Sequence, residues 1–157
     1  MMESVYIETT IISYLVSRPS RDLLVAAHQQ ITHEWWDRRR QLFECYISQV
    51  VLEEVRAGDD DAAQRRMETI GGFAVLEATP EAEALTTAIV RSRAIPKRAV
   101  RDAAHIGVAA VSNMDYLLTW NCRHLANGQI IRVVSGICAA HGYRMPVICT
   151  PEELMGA

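Results

Sequence analysis

The chain contains four cysteines, Cys45, Cys122, Cys138 and Cys149, but no two stand at CxxC spacing and none joins a Cys/His ligand cluster. A zinc site and a disulfide framework are therefore set aside in favour of reduced thiols in a cytosolic fold. No apolar run approaches the ~18 residues that a membrane span needs. The first residues, Met1-Met2-Glu3-Ser4, put no basic stretch ahead of an apolar one, and a cytoplasmic location is expected. Internal repeats, low-complexity tracts and linkers are missing, which leaves one domain over residues 1–157. A Gly-rich phosphate loop is missing as well, and the first apolar strand does not end in Asp. An α/β phosphatase with a carboxylate nucleophile is set aside on those two grounds. Nor is there an excess of positive charge: the net charge is −3 and the pI about 5.9, which argues against holding nucleic acid by bulk electrostatics. The cations are nevertheless clustered, as Arg38-Arg39-Arg40, Arg65-Arg66 and Lys97-Arg98 with Arg101. Each cluster is a candidate positive patch, although a solvated helix face is the simpler account.

What is present is an alternation of short apolar runs and longer periodic ones. Half of the residues are hydrophobic and 22% charged, as in an ordinary globular protein with a real core. Val5 to Glu8, Cys45 to Ser48, Phe73 to Leu76, Tyr116 to Thr119 and Val147 to Cys149 read as five strands, rich in β-branched and aromatic residues. Between them, Asp22 to Arg40 and Asp59 to Ile70 carry apolar residues at three- and four-residue intervals. Thr79-Pro80 reads as an N-cap followed by proline at the first helical position of a helix reaching about Ala94. Lys97 to Val111 is the most apolar helix, with Ala103, Ile106, Gly107 and Ala110 suited to close packing, and Ile130 to Ala140 ends at His141-Gly142. Strands separated by helices imply an α/β fold, a central parallel sheet of about five strands flanked by helices.

Four acidic or amide side chains stand where such a sheet would gather them. Glu8 ends the first strand and Asn121 follows the fourth, while Glu54 and Asp102 lie on helices that lean over the same edge. In open α/β sheets the ligand site lies beyond the carboxyl ends of the strands. Carboxylates gathered at one point repel one another unless a cation sits among them, and oxygen-only ligands select a hard metal such as Mg²⁺ or Mn²⁺. A dication with open coordination positions for water and phosphate is equipment for cutting a phosphodiester. The expectation is a metal-dependent nuclease.

The motifs around these positions resemble those of PIN-domain ribonucleases, in particular VapC-like toxins of type II toxin–antitoxin modules, and the resemblance covers nearly the whole chain. Glu8-Thr9-Thr10-Ile11-Ile12 is similar to the family's opening motif, with Glu where Asp is usual. Ser48, Glu54 and Gly58 reproduce the spacing of its second acidic motif. Asp102-Ala-Ala-His-Ile-Gly-Val-Ala-Ala matches the third, and Thr119-Trp120-Asn121 supplies an Asn where the family's fourth Asp is usual. The resemblance implies Glu8, Glu54, Asp102 and Asn121 as the catalytic set, with the first three holding the metal directly or through water. Glu at position 8 keeps the charge on a longer arm. Asn121 removes a charge, which makes one metal the safer expectation than two about 4 Å apart. The implied reaction is endonucleolytic cleavage of RNA by in-line attack of water, leaving a 5′-phosphate. A cognate antitoxin and a homodimer are the implied partners.

Beside these, Thr9, Ser48, Thr119, Asp115 and His105 are candidates for substrate contact or for support of the ligands. Thr9 and Thr119 are placed to hydrogen-bond ligands or substrate. Asp115 is a stand-in for the charge missing at 121 or, more simply, a turn residue opening the fourth strand. His105, three residues after Asp102, reads as a satisfied, partly buried histidine before it reads as a ligand. Glu53 competes with Glu54, and a solvent-facing role is the simpler one. Trp120, His124 and Asn127 read as packing of the loop after the fourth strand, and Trp35-Trp36 as helix packing. The two departures from the family pattern keep a second function open: a catalytically weakened PIN-like module that binds RNA or regulates.

Overall fold

The computed structural model describes all 157 residues. In chain order its elements are β1 (Ser4–Ile7), α1 (Thr9–Val16), α2 (Leu23–Arg38), β2 (Glu44–Ser48), α3 (Gln49–Val55), α4 (Asp60–Ile70), β3 (Ala74–Leu76), α5 (Pro80–Arg91), α6 (Val100–Val111), β4 (Tyr116–Leu118), α7 (Gly128–Ala140) and β5 (Val147–Cys149). The strands form one sheet in the order β3-β2-β1-β4-β5, with every pair parallel. Parallel pairing demands crossovers, and the intervening helices supply them while covering the faces.

β1 is the centre. Val5, Tyr6 and Ile7 are fully buried and pair on one side with Cys45 and Tyr46 and on the other with Tyr116 to Leu118. From β1 the chain proceeds outward through β2 and β3, then returns to place β4 and β5 on the opposite side. The strand order therefore reverses between β1 and β4, which makes the crevice at their carboxyl ends the topological switch point.

β1 and β2 each stop where a polar residue turns the backbone into a helix. Glu8 is the N-cap of α1 and accepts a hydrogen bond from the Thr10 amide; Ser48 caps α3 and accepts from Val51. Such residues favour helix starts because they satisfy an amide that the helix leaves unpaired. Glu8 and Thr119 thus lie one residue beyond strands that the sequence suggested they would end. The helix expected to reach Ala94 stops at Arg91, and the turn that follows leads through a short 3₁₀ segment, Lys97–Ala99, into α6. The sequence reading assigned no element to α1, whose first residues are β-branched and weak helix formers, yet Ile11 and Ile12 are the pair it buries.

Close packing on α6 is real. A side chain at Gly107 would fall on the Thr86 hydroxyl and 2.8 Å from the Ala82 carbonyl oxygen, so α5 and α6 approach as only glycine permits. Trp35 is fully buried with its ring 6.0 Å from that of Phe43, and Trp36 meets Phe73 edge-on. Trp120 stacks on His28 at 3.9 Å and donates from its indole to Thr32 Oγ1, so this ring is committed to packing.

Candidate active site

Glu8 is only 3% exposed, at the end of the most buried strand. Its Oε1 accepts from the Thr10 amide at 3.1 Å, from the Thr10 hydroxyl, and from the Thr119 hydroxyl at 2.7 Å. Its Oε2 accepts no hydrogen bond and lies 4.0 Å from His105 Nε2. Burial pushes this carboxyl above its ordinary range, against the opposing pull of His105 and the threonine donors.

Glu54, on α3, faces it. Its Oε1 accepts from the Thr9 hydroxyl at 2.8 Å and from His105 Nε2 at 2.6 Å, and its Oε2 has no hydrogen bond. Burial works to raise this carboxyl too, but His105, Thr9 and the charge of Arg101 outweigh it and hold Glu54 below its ordinary range. The two glutamates, one resisting ionisation and one favouring it, bracket a histidine with no exposed surface.

His105 is the hinge of this arrangement. Besides Glu54, it meets the Tyr6 hydroxyl at 2.6 Å through Nδ1, and Tyr6 meets Ser48 Oγ at 2.7 Å. With the imidazole neutral, Tyr6 donates to Nδ1; with it protonated, Nδ1 donates and Tyr6 turns its proton toward Ser48. Burial alone would lower the histidine, yet Glu54, Glu8 and Asp102 together raise it above its ordinary value. One ligand atom from each of Glu8, Glu54 and His105 lies within 4.8 Å of the others, a spacing at which a metal ion fits.

Asp102 stands in the first turn of α6, one turn before His105. His124 Nδ1 donates to its Oδ2 at 2.8 Å, and Oδ1 has no hydrogen bond. Asn121 supports this half of the site from below: its Oδ1 accepts from the His124 amide at 3.0 Å, and its own amide donates to Thr119 Oγ1 at 2.9 Å. Thr119 therefore joins the halves, donating to Glu8 and accepting from Asn121. Glu8, Glu54, Thr9, Ser48, His105, Thr119, Asp102 and Asn121 form one connected network at the carboxyl edge of β1, β2 and β4. Asp102 stands beside the three-residue cluster rather than within it, and Asn121 uses its side-chain oxygen on the loop.

Asp115 is not brought here. It precedes β4, so the whole strand separates it from Asn121, and it accepts from the Ser4 amide at 2.8 Å and from Arg144 at 3.1 Å at the opposite edge of the sheet. That removes Asp115 from the candidates for substrate contact or ligand support and leaves the simpler of its two readings, a residue of the turn that opens β4. Tyr6 and His124 are the members that sequence reasoning missed. The signal for Tyr6 was a hydroxyl in an otherwise apolar central strand; His124 was read only as packing of its loop, because its partner Asp102 is 22 residues away.

The donor set suits a hard cation. Glu8, Glu54 and Asp102 each spend one oxygen on a scaffold donor and leave the other without a hydrogen bond, and carboxylate oxygens are ligands for Mg²⁺ and Mn²⁺.

No family model and no curated protein matches this sequence. Among solved structures, the chain is similar to one in the crystal structure of VapBC2 from Rickettsia felis bound to a DNA fragment from their promoter, with a TM-score of 0.60 and 11% sequence identity. The superposition covers 94% of this chain and 98% of that one, so the two share a fold from end to end.

Proposed function

We propose, from a VapC-like PIN fold with three half-free carboxylates at its switch point, that this protein is a metal-dependent endoribonuclease and the toxin of a toxin–antitoxin pair. The observation that carries the reading is the division of labour within each carboxylate. Glu8, Glu54 and Asp102 are each held by one oxygen and offer the other. Fixing ligands through their second oxygens is how proteins orient a metal site in advance.

Glu8, Glu54 and Asp102 would hold Mg²⁺ or Mn²⁺. The chemistry that ion supplies when bound is neutralisation of a phosphate oxygen and acidification of a water. The protein's own residues do the rest. Thr10 and Thr119 fix the Glu8 carboxylate, Thr9 and His105 fix Glu54, and His124, itself anchored by Asn121, fixes Asp102. The product would carry a 5′-phosphate, an antitoxin would restrain the activity, and the active species would be a homodimer.

One observation favours a second reading, in which the chain binds RNA without cutting it. When protonated, His105 places a cationic group against Glu54 and 4.0 Å from Glu8, as a metal would. Incubating single-stranded and hairpin RNA with the purified protein separates the two. The nuclease reading expects cleavage with Mg²⁺ or Mn²⁺ that EDTA abolishes and fragments with 5′-phosphates. Binding without cleavage under both metals would leave the second reading standing.

A further inference from the structure

A second feature lies at the α5–α6 turn. From Arg91 to Arg101 the chain carries five of its sixteen cations, Arg91, Arg93, Lys97, Arg98 and Arg101, and no acidic residue intervenes between Glu83 and Asp102. All five are exposed. None makes a salt bridge or a side-chain hydrogen bond, whereas Arg144 pairs with Asp115 and Arg66 donates to the carbonyls of Val55 and Ala57. On a protein of net charge −3 this is a concentrated block of positive charge, and only Arg101 among the five acts on a carboxylate of the site.

The block lines a depression. Arg91, Arg93 and Lys97 stand around a cavity of about 680 Å³ whose apolar wall is Val90, Pro96 and the half-exposed Val100. The turn is firmly built: Ile95 is fully buried beneath it, and Arg93 holds a left-handed conformation with φ 65°. Glycine adopts that conformation without steric cost and arginine does not, so the turn presents a cation where the backbone alone would prefer none. Through Thr87 and Val100 the cavity adjoins a second of about 320 Å³, lined by Val50, Ala104 and the acidic Glu83, so the basic stretch is confined to the first. The block itself runs up to the site, because Arg101, its last cation, directly precedes Asp102 in the first turn of α6.

We infer that this basic groove is a binding track for the backbone of single-stranded RNA, leading the strand toward the carboxylate edge. The inference rests on the nuclease reading for its direction, not for the binding itself. Unpaired arginines and lysines match phosphates spaced along a strand, and the apolar wall of Val90, Pro96 and Val100 offers a surface to sugars and bases. A track of this kind also resolves the charge problem, because a local block of cations holds RNA despite an acidic whole.

The test is binding of a fluorescein-labelled single-stranded RNA, followed by anisotropy in EDTA so that no cleavage enters the readout. Wild type is compared with a variant combining Arg91→Gln, Arg93→Gly and Lys97→Gln across a salt series. The triple variant is expected to bind on the order of tenfold more weakly, with its log–log salt slope shallower by about two, since each phosphate contact on a single strand contributes about 0.7. Because Arg93→Gly removes a left-handed arginine, that single variant should melt no lower than wild type, which separates lost contacts from lost fold. Unchanged affinity and slope would overturn the track. So would a wild-type dimer that the triple variant turns into monomers of undiminished RNA affinity, because the groove would then be an interface between copies. Wild type that binds through the groove yet never cuts with Mg²⁺ supports the track and removes the nuclease reading.

Discussion

Glu8 and Glu54 are the same residue type a few ångströms from one histidine, yet their environments push them apart, and stability must follow pH accordingly. His105 is raised in the fold, so its contribution is present below its unfolded value and is lost as pH climbs through the folded one. Glu8 is raised as well, so the fold holds its proton longer than the unfolded chain does, and rising pH again removes stability. Glu54 is lowered and contributes once pH exceeds its unfolded value. The metal-free protein should therefore be most stable in mildly acidic buffer and lose melting temperature toward alkaline pH, and Mg²⁺ or Mn²⁺ should restore much of that loss. A calorimetric pH series measures both; a metal-free profile flat or rising above neutrality would contradict the assignment. At the same scale, Asp102→Asn should abolish metal-dependent cleavage while leaving the circular dichroism spectrum unchanged. The amide keeps an acceptor for His124 and deletes the charge, and full activity in the purified variant would remove Asp102 from the site. The residues of this edge were legible where a motif stands at a strand end, as for Glu8 and Asn121. The pairings of Tyr6 with His105 and of Asp102 with His124 were not, because they cross 99 and 22 residues of chain and leave no local pattern.

Among the elements, α6 does two jobs on two faces. One presents Asp102 and His105 to the site, and the other carries Gly107 against Thr86 and Ala82 of α5. Gly107→Ala should cost about 1–3 kcal/mol, the usual consequence of forcing a methyl into a filled interface. Urea denaturation reads the loss directly, and an unchanged midpoint would mean that α5 retreats at no cost. Elements with clear periodicity or caps were readable: Thr79 does cap α5, accepting from the Ala82 amide with Pro80 at the first position. The short helices were harder. α1 has eight residues and begins with two threonines and two isoleucines, which favour strand in isolation; tertiary burial of Ile11 and Ile12 overrides that preference.

Across the molecule, the alternation of strands and helices was enough to read a parallel sheet, and the crossover rule did the rest. What the pattern did not contain was which edge each loop residue occupies. Asp115 and Asn121 are six positions apart, yet a strand rising about 3.3 Å per residue sends them to opposite ends of the sheet. At its own end Asp115 forms a clasp: it accepts from the amide and hydroxyl of Ser4, while its own amide donates to the Ser4 hydroxyl. Asp115→Ala should lower stability by about 1–2 kcal/mol, as expected for losing partly exposed hydrogen bonds to a charged group. Isothermal titration with Mn²⁺ should find metal affinity unchanged, because the clasp and the site share no residue. A loss of affinity larger than the loss of stability would show that the two edges communicate.

The pairing of β1 with β4 also sets a schedule. The first strand made on the ribosome has half of its central hydrogen bonds waiting for a partner 111 residues later, and Glu8 waits equally long for the hydroxyl of Thr119. His124, which holds Asp102, emerges later still. Contacts so distant along the chain close last, since the loop between them must first be ordered. A partly synthesised chain therefore carries Glu8 and Glu54 but lacks the strand that locks them in register. The carboxylate edge is completed only once β4 and the loop after it have joined the sheet, so the site is among the last parts of the molecule to exist.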